Sequence, residues 1–144
     1  MSVTSIYPIL IAAIQASLDA VDNIKEVFAY PATDITKYPA VIFFPAGIEN
    51  TFDSVQENFK IYTFKIYVIV NAGQKPLSEI FATVMPDTMD AVLAQLDADW
   101  STGVIDGHTA WSEMDIGAWS VSEEDAGLEV TAELELKVKI LTNN

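Results

Sequence analysis

Few residues of this chain could do chemistry. His108 is the lone histidine and cysteine is absent, so one chain cannot assemble a two-histidine metal site, a thiolate zinc site or a Cys-His dyad. A Ser-His-Asp set is formally available from Ser101 or Ser112 with His108 and Asp106 or Asp115. No G-x-S-x-G turn presents either serine as a nucleophile. Asp97, Asp99 and Ser101, at alternate positions before Gly103, begin like a calcium loop. The sixth position is then Thr102 instead of Gly, and the twelfth is His108 instead of Glu. A helix end running into a solvated turn accounts for the same residues. Glu123, Glu124 and Asp125 form the densest acid cluster. With 21 acids in 144 residues some neighbouring pairs are inevitable, and adjacent acids between two strands read as a wet turn, not a tuned acid-base pair. Trp100, Trp111 and Trp119 lie beside strand segments and read as packing or interface residues sooner than as a sugar platform. No Gly-rich phosphate loop is present. The expectation is no catalytic residue, no cofactor and no metal.

Charge narrows the partners. There is no arginine, and from Pro76 to Leu136 fourteen acids stand without a single lysine. Up to Lys75 seven acids face five lysines; beyond it fourteen face Lys137 and Lys139, which completes the net charge of -14. Such a surface repels phosphate, which argues against binding that works by neutralising a nucleic-acid backbone. A hydrophobic content of 51% argues against disorder despite the charge. A chain of this length buries about 70% of its unfolded surface, enough for one domain, 1–144, without disulfides. The apolar run from Ile6 to Ile14 has no positive charge ahead of it, and no stretch reaches the ~18 apolar residues of a span. The sequence reads as a soluble intracellular protein with no membrane contact.

The elements that must position these residues follow from periodicity. Ile6, Leu10, Ala13, Ile14, Leu18 and Val21 recur at helical spacing, with Ser5 as N-cap and Pro8 in the first turn. Lys25–Tyr30 is a short strand ended by Pro31, and Ala40–Phe44 a buried strand bounded by Pro45 and Gly47. Residues 46–58 are polar with isolated apolar points and read as a loop or hairpin arm. Phe59–Val70 is a strand of roughly 40 Å, with Tyr62, Phe64, Ile66, Val68 and Val70 on one face. Helical spacing returns from Leu77 to Leu96 with Pro86 inside it. This predicts a kinked helix or two abutting ones, the second starting at Pro86. Asp97–Gly107 is turn-rich.

Glu113–Val121 is a strand whose parity breaks at Trp119, with Gly117 as the expected bulge. Ser122–Gly127 is an acidic turn. From Leu128 to Ile140 apolar residues alternate strictly with Glu129, Thr131, Glu133, Glu135, Lys137 and Lys139, the pattern of a sheet packed on one side and wet on the other. The predicted fold is α+β, a largely antiparallel sheet with two helices on one face, order α-β-β-β-α-β-β, and a projecting hairpin arm.

The helix at 6–21, the stretch NIKEVFAYPATDITKYPAVIFFPAG at 23–47, and the arm ENTFDSVQENF running into KIYTFKIYVIV resemble tail terminator proteins of tailed bacteriophages, also called tail completion or neck proteins. The resemblance covers most of the chain as an order of elements. It implies a non-catalytic structural virion protein, made in the host cytoplasm and built into the tail neck. Copies would form a hexameric ring that caps the tail tube and joins it to the head-tail connector proteins. Ile48, Phe52, Val55, Phe59 and Tyr67 are then the intersubunit candidates. Glu123, Glu124, Asp125, Glu129, Glu133 and Glu135 are candidates to flank a channel through which DNA passes without specific binding. Two alternatives are an acidic protein-binding adaptor and another head-tail connector component, and a small carboxylate hydrolase is a third.

Overall fold

The alternation at 128–140 builds the centre of the sheet. In a computed structural model the backbone is described for residues 6–32, 35–52, 57–73, 75–100, 104–105, 108–124 and 127–143. Side chains are described within these except at 6, 48–52, 57–59, 100, 104–105, 108–111, 124 and 141–143. The elements are α1 (Ile6–Asp19), β1 (Glu26–Phe28), β2 (Ala40–Phe52), β3 (Glu57–Asn71), α2 (Leu77–Glu79), a π-helical segment (Ile80–Val84), α3 (Met85–Trp100), β4 (Val104–Ile105), β5 (His108–Glu124) and β6 (Gly127–Asn143). The strands form one sheet in the order β1-β2-β3-β6-β5-β4. All neighbours are antiparallel except β1 and β2.

On β6, Val130, Ala132, Leu134, Leu136 and Val138 are fully buried and Ile140 nearly so. They meet Tyr62, Phe64, Ile66, Val68 and Val70 of β3, and Val41 and Phe43 of β2, under Leu10, Ile14 and Leu18 of α1 and Met85, Met89, Val92 and Leu96 of α3. Each such side chain contributes about 1.5–3 kcal/mol when buried. This row is the reason the helices lie on one face only. Tyr7 of α1 sets its ring edge-on to Tyr62 at 5.0 Å and Phe64 at 6.1 Å, and burial pushes both tyrosine phenols above their ordinary pKa.

The fold class agrees with the sequence reading, with one added element: the two-residue β4 falls inside the stretch expected to be turn. Four boundaries differ for physical reasons. β2 does not stop at Pro45, because a register shift between Pro45 and Gly47 absorbs the missing N–H and lets pairing with β3 continue to Phe52. Residues 46–52 and 57–58 are therefore hairpin, not loop. β5 extends the expected Glu113–Val121 to 108–124. At Pro86 the helix changes type: the π-helical turn Ile80–Val84 precedes α3, in which Pro86 is the second residue. There its absent N–H costs little. The carbonyl of Val84 also accepts a 2.7 Å bond from the hydroxyl of Thr88, a buried side chain four residues on. The Ser5 cap lies outside the described residues. No described helix is long and apolar enough to cross a membrane.

Candidate interaction surfaces

Strand parity decides which candidate residues share a face. Positions opposite Leu134 and Leu136 face the helices; positions opposite Glu133, Glu135 and Lys137 form the outer face. On β3 and β6 the outer row holds Lys65, Tyr67, Glu133, Glu135 and Lys137. Lys65 forms an ion pair with Glu133 at 3.7 Å, and Lys137 one with Asp115 of β5 at 3.6 Å. Both are largely open to water, worth ~0–1 kcal/mol each. Near the far end of the same face, the phenol of Tyr38 donates to the Glu129 carboxylate. Tyr38 precedes β2, so this bond crosses the end of β3, where Asn71 lies opposite Glu129.

Of the candidate channel acids, Glu129, Glu133 and Glu135 are brought together on the outer face. Glu123 is not with them. It pairs with Leu128, and so falls on the helix side. The cause is the bulge: Ile116 pairs with Leu134 and Trp119 with Ala132, leaving Gly117 and Ala118 opposite Glu133 alone. The bulge expected from Gly117 and the broken parity at Trp119 is thus present. It moves Trp119, Val121 and Glu123 onto the helix-side face. Glu124 lies opposite Gly127 at the end of β5, with its side chain outside the described set. Asp125 lies outside the described residues.

Among the intersubunit candidates, Ile48 lies opposite Tyr62, Phe52 opposite Asn58, and Phe59 opposite both Thr51 and Leu141. Their side chains are outside the described set, and Val55 lies outside the described residues altogether. Tyr67 lies on the outer face and stacks on Phe44 at 5.9 Å. The hairpin is backed by a third strand, since β3 pairs with β6 as far as Glu57 opposite Asn143.

A surface not anticipated from sequence lies on the helix side of β5. The helices cover β2, β3 and β6, and leave Ile116 59% and Val121 43% exposed. Trp119 between them meets Phe81 of the π-helical segment at 5.7 Å, and Phe81 itself is 37% exposed. The parity break at Trp119 was the available signal for this row. Nothing in the periodicity told how far the helices would reach across the sheet.

As to chemistry, no three His, Cys, Asp or Glu residues converge on a metal position among the described residues. The side chain of His108 is outside the described set. The Asp99 carboxyl is held below its ordinary pKa by hydrogen bonds from Gln95 and Ser17. Both are contacts within the helical layer.

The arrangement defines a class: an α+β protein whose long, largely antiparallel sheet carries its helices on one face. No family model and no curated protein matches the chain. Among solved structures, it is similar to a chain of the "Virion of native gene transfer agent (GTA) particle", with 14% sequence identity and a TM-score of 0.55. The likeness covers 92% of this chain and 95% of that one. It is a likeness of fold.

Proposed function

We propose that the chain is a structural virion protein, a tail terminator that closes into a ring, caps the tail tube and joins it to the head-tail connector. The observation that carries this reading is the fold shared over nearly the whole length of both chains with a component of a gene transfer agent virion. It agrees with the family suggested by the order of elements and by the arm sequence. In this reading the chain acts by assembly and needs neither a cofactor nor a catalytic residue. Ile48, Phe52, Val55, Phe59 and Tyr67 contact the neighbouring copy, a heterologous interface that closes by rotation. The outer row Glu129, Glu133 and Glu135 flanks a channel in which like charge keeps passing DNA from adhering, and Glu123, Glu124 and Asp125 are further candidates for it.

Native mass spectrometry and negative-stain imaging test the ring, with the protein alone and with a tail tube present. A closed ring in either sample is the expected result. A monomer in both would overturn the proposal and leave the acidic adaptor or another connector component as the reading.

A further inference from the structure

Among the described residues β4 meets β5 only at His108 and Thr109; on that side no other described strand lies along β5 from Glu113 to Glu124. A strand edge in that state is a template for an added strand. Its two rows of side chains are unlike. The helix-side row presents Ile116, Trp119 and Val121 with Phe81 next to them, an apolar strip open to water. The outer-face row presents Glu113, opposite Lys137, and Asp115, which Lys137 meets at 3.6 Å from the β6 side, and β5 itself carries no Lys or Arg along its whole length.

We infer that the β5 edge and its apolar strip receive an extended segment of a different polypeptide, one in which apolar residues alternate with lysine or arginine. Alternation follows from strand geometry: successive side chains of an added strand face opposite sides. Those on the helix side cover Ile116, Trp119 and Val121. Those on the outer side meet Glu113 and Asp115, where opposite charges across strands contribute about 0.2–1 kcal/mol each and like charges oppose pairing. That charge rule also decides against a second copy of this chain. Among the described residues β1 is also open on its outer side, but only over Glu26–Phe28, with an acid and no lysine, and so is β2 beyond Ile42, where β1 ends. There the β2 sequence FFPAGIENTF contains Pro45, which cannot donate to a ladder, and Glu49, with no lysine. The bulge at Gly117–Ala118 divides the β5 edge into two straight stretches, so the segment seats on one side of it or bends across it.

The inference rests on the proposed assembly role only for the source of the partner. Its test does not need a ring. The probe is a short capped peptide of alternating lysine and valine, with alternating glutamate and valine as one control and a proline-interrupted lysine peptide as the other. Hydrogen exchange read by mass spectrometry should show β5 protected by the lysine peptide alone, with affinity falling as salt rises. Ile116→Asp should weaken that binding about tenfold, the worth of one buried aliphatic side chain. Glu113→Lys, on the opposite face, should weaken it without touching the apolar strip, and far-UV circular dichroism checks that both variants fold. Equal binding of the glutamate peptide overturns the inference. So does protection that falls elsewhere than β5. Protection of β5 without peptide, rising with protein concentration, would instead assign the edge to a second copy.

Discussion

Gly117 lies against Glu133 so closely that a Cβ added to it would stand 3.2 Å from both the Cβ and the backbone oxygen of Glu133. A side chain there would be tighter than an ordinary contact, and the neighbouring strand would have to give by a few tenths of an ångström. The bulge at Gly117 sets the phase of β5 from Trp119 to Glu124.

Gly117→Val should force the bulge to open or shift. A loss of about 1–3 kcal/mol is expected for the overpacking, seen as a lower urea midpoint. The near-ultraviolet dichroism of Trp119 should change as its contact with Phe81 loosens. An unchanged midpoint would show that the two strands can separate there at no cost.

The bond from Tyr38 to Glu129 joins residues 91 apart in sequence and ties the entry of β2 to β6. Tyr38→Phe keeps the ring and removes the donor, which should cost about 1–2 kcal/mol for a hydrogen bond to a partly buried carboxylate. Chemical denaturation with an unchanged slope is the check. A neutral effect would mean that water replaces the phenol.

Thr88→Val tests the junction between the π-helical segment and α3. The Val84 carbonyl loses its hydroxyl donor, and a decrease of about 1 kcal/mol is expected. Thr88→Ser should retain most of the stability, because it keeps the hydroxyl. If serine behaves like valine, packing of the Thr88 methyl and not the bond is what matters.

Asp99 gives a pH signature. Its folded pKa is depressed by Gln95 and Ser17, so its contribution to stability is present above the ordinary carboxylate value and lost as pH falls through the lower folded value. Ser17→Ala should lower stability at neutral pH, and the gap to wild type should narrow in acid, below about pH 4. A gap that stays constant with pH would assign the effect to lost packing at a site only 4% exposed.

For the proposed ring, Phe52→Ser combined with Val55→Ser should abolish the assembled species in native mass spectrometry while circular dichroism stays that of the folded chain. Unfolding instead would place these residues in the subunit's own core.

Much of the sheet was legible because its signal is local. The β6 alternation needs only neighbouring residues to be read, and the same holds for the β3 row Tyr62–Val70. Gly117 and Trp119 together disclosed the bulge. What could not be read was where pairing would outlast a breaker. Pro45 looked like the end of a strand, yet β3 was long enough to hold β2 in register beyond it. Glu123 reads as part of an acidic turn beside the outer row; it is paired with Leu128 instead, and the bulge sets its position on the helix side. The exposed row at Ile116 and Val121 depended on the reach of two helices across the sheet, which is a matter of tertiary packing.

The strand order carries a consequence for synthesis. β6 is the last of the six to leave the ribosome, yet it occupies the middle of the sheet between β3 and β5. Until it arrives, β3 and its apolar row lack a neighbour on that side, and β5 pairs with nothing but β4. The β3–β6 pairing, Asn71 opposite Glu129 at its nearest, spans a long stretch of sequence and is slow to form. The nascent protein therefore waits, sticky and incomplete, for β6, and the time spent waiting is when it most needs protection from its neighbours in the cell.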